Sequence, residues 1–417
     1  MQHLHERGVV FRQFLSGICL LIGLLIPAFA TDTDKTTALL DVTARPATIV
    51  CLGDSVTGVY YHTGGKRAYP EMLELAIRQA VPGAMVTVIN AGISGHTTQD
   101  GLARFDRDVL SRRPDLVTIS FGLNDMVRVS EDQFRRNLDT LVERCRAAGC
   151  LVVLCTPNSV ITSDSRPVKK LIRYCDLIRA AGRDQKVPVC DQFTAGEALK
   201  ASDPRAWRLT LSDSIHPNMA GHKLMAEELC RTITGRSTSL TDLPPASDPL
   251  ALTMARIRRG QPVRVLAMSP FEKQIETAIR RKYPDAVVEV TPWPVDGRTL
   301  GEIETAASQT VRKMKPDLVV IAVPRSATAE PDEEFARSYS WVMNWSLSFG
   351  RAEWDCVVIH STVAAPADSS PRDALVRRLV AAQDLHLVDR AATDASSSEV
   401  ILSRWIESLA ASPGKAN

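Results

Sequence analysis

The sequence predicts a doubly wound α/β protein with a mostly parallel sheet, and it predicts that arrangement twice. Three observations carry this. Short apolar runs alternate with amphipathic stretches of helical period, which is the pattern of strand–helix–strand units. The same series of runs returns further along the chain at nearly one spacing. And a chain of 417 residues, 45% hydrophobic and 24% charged, has room for two cores.

From the N-terminus, Arg7 and Arg12 precede an uncharged apolar run, Phe14 to Ile26, which ends near Ala28-Phe29-Ala30. This is the make-up of a secretory signal peptide over residues 1–30, and the run is short for a bilayer span. The expectation is export to the periplasm or the exterior, with no stable membrane insertion after cleavage. Strands are then expected at Ala47–Leu52, Val86–Ile89, Leu116–Ser120, Leu151–Cys155 and Val187–Cys190. Helices are expected between them, for example Tyr69–Ala80 and Glu131–Ala148. In such folds the ligand site lies beyond the carboxyl ends of the strands.

The second series begins near residue 262. SRRPDLVTIS (Ser111–Ser120) is echoed by KMKPDLVVIA (Lys313–Ala322), an offset of 202. At that offset PGAMVTV (Pro82–Val88) faces PDAVVEV (Pro284–Val290), and Gly95-His96-Thr97 faces Gly297-Arg298-Thr299. Val152–Cys155 faces Val357–His360 a few residues later. An ordered series of this kind argues for duplication. Residues 236–259, rich in Ser, Thr, Pro and Asp, read as a linker between domains at 45–235 and 260–410.

Fifty Lys and Arg against 48 Asp and Glu leave a net charge of +2, spread along the chain. No basic field points to nucleic acid. Eight cysteines remain after the signal, with no Cys-x-x-Cys pair and no His-rich tract, so no zinc site is expected.

The chemistry gathers at strand ends. The first strand runs into Gly53-Asp54-Ser55, where a glycine turn can present the serine hydroxyl at the sheet edge. A hydroxyl needs a base to become a nucleophile. The first domain holds His62, His96, His216 and His222, and only His216 has an acid three residues before it, in Asp213-Ser-Ile-His216. That spacing lets the carboxylate hold the second imidazole nitrogen and fix its tautomer. Candidate oxyanion donors follow the second and third strands, at Asn90-Ala-Gly-Ile-Ser-Gly95 and Phe121-Gly-Leu-Asn124-Asp125. Asp54 reads as a turn-former and Asp125 as a brace of the third loop.

These four segments, in this order between positions 53 and 216, resemble the blocks of the SGNH hydrolase superfamily, the GDSL-type esterases and lipases. The resemblance implies a three-layer α/β/α, flavodoxin-like fold and hydrolysis of ester or thioester bonds. It implies Ser55, Asp213 and His216 as catalytic residues. It also implies an oxyanion hole from the Ser55 and Gly95 amides and the Asn124 side chain, with no metal or organic cofactor. The first half carries fourteen extra residues next to the serine (offset 216 at Ile49 and Val265, then 202), and the loop Val56–Arg67 is the main place where the halves differ. Tyr60 and Tyr61 in it, and His96 beside Gly95, are substrate-binding candidates. The tyrosines alternatively pack the loop, and His96 alternatively lies exposed in its own.

The second domain lacks the machinery. Phe271 faces Ser55, Ser326 faces Asn124, and no Asp-x-x-His follows, so it resembles a degenerate SGNH-like domain. Trp293, Trp341 and Trp345 are either a carbohydrate platform or packing residues. The functional expectation is an exported serine esterase acting on a small-molecule or carbohydrate ester, with short acyl groups such as acetyl preferred. The alternatives are a lysophospholipase or thioesterase for longer chains, acyl transfer in place of hydrolysis, and a non-catalytic binding protein of the same fold.

Overall fold

Among the described residues of the computed structural model, ten strands make two five-stranded sheets in which every strand pairing is parallel. The structure describes residues 38–366 and 370–409, so the signal peptide expected over 1–30 lies outside the described residues. The first sheet comprises β1 (Ala47–Gly53), β2 (Val86–Gly92), β3 (Leu116–Ser120), β4 (Leu151–Cys155) and β5 (Val189–Cys190), in the order β2-β1-β3-β4-β5. The second comprises β6 (Val263–Met268), β7 (Val288–Trp293), β8 (Leu318–Ile321), β9 (Asp355–Ile359) and β10 (His386–Val388). Its order is β7-β6-β8-β9-β10, the same permutation repeated.

The central strands form here because their residues are largely apolar on both faces, whereas the edge strands β2 and β7 keep polar residues such as Thr87 and Glu289 outward. Ile49, Val50, Cys51 and Leu52 of β1 have no exposed surface, and burying each such aliphatic side chain stabilises the fold by about 1.5–3 kcal/mol. Helices supply the covering layers. Tyr69–Ala80 packs with Met219–Thr234, and Glu131–Ala147 packs with Val168–Gln185. This is the doubly wound architecture that the alternating pattern predicts.

The duplication extends to side-chain detail. Asp115 accepts the amide of Thr48 at 2.7 Å and donates its own amide to the Thr48 carbonyl at 2.8 Å. Asp317 does the same with Arg264, at 2.9 and 2.8 Å. Arg113 and Lys315, two residues before these aspartates, both take φ of 48°. Two halves sharing a local conformation that L-residues avoid are copies of one frame.

The halves are not separate bodies: the described residues form one compact unit. Leu209 of the first half is buried in the second core. The segment 236–259 is pinned as well, with Leu240 in the first core and Leu250 and Met254 in the second. Its last part is the helix Ala251–Arg258. All eight described cysteines are buried free thiols. Among the described residues no helix is long and apolar enough to cross a membrane.

Candidate active site

The strand order of the first sheet reverses between β1 and β3, which opens a crevice at their carboxyl ends. Three loops meet there. The first leaves β1 through Gly53, where an added Cβ would lie 2.0 Å from Thr57 Oγ1 and 2.7 Å from the Ser120 carbonyl. Only glycine lets the chain turn this tightly against β3. Asp54 then closes the turn: its carboxylate accepts the Val56 amide at 2.9 Å, and its carbonyl accepts those of Thr57 and Gly58. Asp54 is 3% exposed, and burial pushes its carboxyl up to about 6.

The turn leaves Ser55 half-buried at the sheet edge. Its Oγ lies 2.9 Å from His216 Nε2, and His216 Nδ1 lies 2.8 Å from Asp213 Oδ2. The other oxygen of Asp213 accepts the amides of Ile215 and His216 at 2.8 and 2.7 Å, so the Asp-x-x-His turn is closed by its own acid. Burial works to raise the Asp213 carboxyl. The imidazole beside it, with hydrogen bonds from His216 and Tyr61, outweighs that and holds it well below the usual carboxylate range.

The second loop carries Gly95 at φ of +78°, a conformation glycine adopts without strain. The third carries Asn124, whose Nδ2 donates to the His96 carbonyl at 3.0 Å and approaches Asp54 Oδ2 at 3.4 Å. Asp125 is fully buried and accepts from the Thr98 amide, the Thr98 hydroxyl and the Gly122 amide at 2.8, 2.6 and 3.1 Å. It ties the second loop to the third and faces no open space.

Of the three substrate-binding candidates, each has a partner within the protein. Tyr60 accepts the Ser94 amide on its hydroxyl at 2.8 Å. Tyr61 donates to Asp213 Oδ2 at 2.6 Å. His96 is half-buried and accepts from Arg104 Nε at 3.2 Å.

Arg104 is a residue that sequence reasoning missed. It is 5% exposed and donates to the carbonyls of Gly53 and Ala91, both at 2.8 Å, pinning the ends of β1 and β2 together. Nothing in its surroundings marks it except Asp108 four residues on, which pairs with it at 2.9 Å. His62 is the other unforeseen neighbour. It is fully buried, with its ring 4.7 Å from that of His216 and 5.6 Å from that of His222, both near parallel. Burial first, and then the two flanking imidazoles, keep His62 neutral. Among the described residues no group of three His, Cys, Asp or Glu is placed to hold a metal ion.

A hydroxyl, an imidazole and a carboxylate in line beside strand-end amides can perform acyl chemistry, and known proteins agree. Residues 51–224 match the GDSL-like lipase/acylhydrolase family. An acetylxylan esterase from Geobacillus stearothermophilus is 29% identical over 175 residues, which is 38% of this chain and 78% of that protein. The esterase TesA from Pseudomonas aeruginosa is 26% identical over 196 residues, 47% of this chain and 92% of its own. A solved lipase/acylhydrolase from Enterococcus faecalis is 27% identical, covering 46% of this chain and 98% of its own with a TM-score of 0.39. The chain thus carries, over residues 51–224, a domain of the GDSL-like lipase/acylhydrolase family, and it is a carboxylic ester hydrolase.

Proposed function

We propose that this protein is an exported serine esterase that removes short acyl groups, acetyl foremost, from carbohydrate. The observation that carries the chemistry is the continuous line from Ser55 Oγ through His216 to Asp213, at 2.9 and 2.8 Å. His216 takes the serine proton as Ser55 attacks the ester carbonyl. Asp213 holds the imidazole in the required tautomer and stabilises its charge. The alkoxide leaves with the proton from His216, and water, activated by the same imidazole, releases the acyl group from Ser55.

The tetrahedral oxyanion is stabilised by the Ser55 and Gly95 amides and by Asn124 Nδ2. One hydrogen of that side-chain amide is spent on the His96 carbonyl at 3.0 Å. Its second has only the distant Asp54 Oδ2 at 3.4 Å, which leaves it available to substrate. Arg104 and Asp125 support the hole from behind, by fixing the strand ends and the two donor loops.

The substrate class rests on kinship: the acetylxylan esterases of Geobacillus stearothermophilus and Xylanibacter ruminicola are both relatives. Export rests on the composition of residues 1–30. Purified protein assayed on a series of aryl esters should turn over acetate fastest, and it should release acetate from acetylated xylan. A rate climbing steadily with acyl length would make it a long-chain acylhydrolase instead.

A further inference from the structure

We propose that Tyr61 is a positioning residue for the Asp213–His216 pair, and that the second half of the chain exists in part to hold Tyr61 in place. The inference rests on the catalytic reading of Ser55, His216 and Asp213 above.

The Tyr61 hydroxyl donates at 2.6 Å to Asp213 Oδ2, the same oxygen that faces His216 Nδ1 at 2.8 Å. That oxygen orients the base, so a second donor fixes both its position and its share of negative charge. A tyrosine in a loop needs something to hold its ring, and here the second half does so. Trp341 stacks on Tyr61 with centroids 6.1 Å apart and 26° between planes. The Arg312 guanidinium sits 5.2 Å from the Tyr61 centroid and 4.5 Å from that of Trp345. Arg312 donates to the carbonyls of Asn344 and Leu347 at 2.8 and 3.0 Å. Within the described residues it makes no ion pair, so its charge rests on aromatic faces and carbonyls.

The same helix, Asp332–Ser346, reaches the acid's own segment. Asn344 is fully buried and exchanges two hydrogen bonds with Ser212, the residue before Asp213. Ser212 Oγ donates to Asn344 Oδ1 at 2.9 Å, and Asn344 Nδ2 donates to the Ser212 carbonyl at 3.0 Å. The far end of the Tyr61 loop is fastened too, by Gln383 Nε2 on the His62 carbonyl at 2.9 Å and the Ala352 amide on the Gly65 carbonyl at 2.9 Å. One helix therefore grips both the carboxylate's neighbour and the ring that donates to the carboxylate. A domain serving only as ballast has no need of that convergence.

The test uses the whole chain and a soluble aryl acetate. Tyr61→Phe keeps the ring and its stacking and removes only the hydroxyl. Loss of one such hydrogen bond should lower kcat about tenfold with KM within twofold. Without the hydroxyl, more negative charge faces the imidazole and favours its protonated form. The acid limb of the kcat/KM profile should therefore move to higher pH, by about half a unit. In an Asp213→Asn background Tyr61→Phe should add almost nothing. Asn344→Ala should lower kcat in the same way with KM unchanged; should it melt below the assay temperature, Arg312→Met tests the second half's hold on the Tyr61 ring and should lower kcat likewise. Tyr61→Phe with kcat within twofold and an unmoved acid limb would overturn the inference, as would a rise in KM alone, which would make Tyr61 a substrate contact. Ser55→Ala separates the two levels. Activity surviving there defeats the catalytic reading itself, whereas an inactive Ser55→Ala beside an unaffected Tyr61→Phe defeats only this one.

Discussion

The carboxyl edges of the two sheets begin from one frame and end in different chemistry. β1 runs out through Gly53-Asp54-Ser55, small and polar; β6 runs out through Ser269-Pro270-Phe271, with Phe271 fully buried. β1 pairs Leu52 with Ala91, and at the matching register β6 pairs Met268 with Trp293, which is 4% exposed. Asp125 has Ala327 as its counterpart, and Arg104 has Ala306. At these positions the second half carries apolar bulk and lacks the polar braces, while a cavity stays open beyond β8 and β9 between Val323, Arg325, Ser361 and Asp373. A crevice in this fold stays usable only while small residues line the strand ends and buried polar groups hold the loops apart. Where Phe271 and Trp293 replace them, the places of the serine and of the second strand's end become core.

That contrast can be broken or sharpened by substitution. The largest effect belongs to Ser55→Ala, which should lower kcat by roughly 10⁶-fold with an unchanged melting curve, since a half-buried hydroxyl contributes little packing. Steady-state kinetics and calorimetry on the same sample check both parts. Next comes Asn124→Ala, whose position in the second half is Ser326. Loss of one oxyanion donor should cost about 10²–10³ in kcat with a modest change in KM. A change confined to KM would place Asn124 in substrate binding.

The Asp54 carboxyl, raised from 3.8 to about 6 by burial, makes a prediction in pH. A raised acid favours the fold in its protonated form, so this contribution is fully present below about pH 4 and is lost as the pH climbs through 6. The loss is roughly 2–3 kcal/mol. Asp125, also raised by burial, acts in the same direction. The buried, neutral His62 and His222 act the opposite way, favouring the fold as the pH rises, so the difference between variants isolates Asp54. Urea unfolding at pH 4 and pH 7 should show Asp54→Asn losing less stability, or gaining more, than the wild type over that range. An equal change in both would mean the Asp54 charge is tolerated in place.

The smallest effect is the most symmetric. Gly95 and Gly297 occupy the same left-handed conformation, at φ of 78° and 71°, each with open space around an added Cβ. Alanine at either should cost about 1 kcal/mol of stability. Only Gly95→Ala should also slow turnover, because only that amide belongs to the proposed oxyanion hole. Equal activity loss from both would tie Gly297 to catalysis and undo the contrast.

Much of this was legible in the sequence, for physical reasons that differ by element. β3 and β4 begin and end where the apolar runs do, and Tyr69–Ala80 is helical over its whole predicted length. Buried parallel strands and amphipathic helices write their period into the chain. The repeated aspartates Asp115 and Asp317 could be aligned by eye, because each sits beside a proline at a strand start. The Asp213–His216 spacing was local, within one turn. What could not be read were contacts between distant side chains. Tyr61 and Asp213 are 152 positions apart, and Ser212 and Asn344 are 132 apart. Such pairs have no period, and a loop tyrosine that braces an acid looks in sequence like one that stacks on a sugar. Arg104 was hidden for a related reason: its partners Gly53 and Ala91 offer backbone carbonyls, which every residue has.

The measurement closest to the central claim is covalent labelling of the intact protein with a fluorophosphonate, followed by peptide mapping. Such a probe reacts with a serine only when a neighbouring base removes its proton and an oxyanion hole receives the phosphoryl oxygen. The two-edge account predicts a single adduct, on Ser55, and an unmodified Ser269 in the second half. An unlabelled Ser55, or an adduct at Ser269 or elsewhere in residues 260–410, would contradict it.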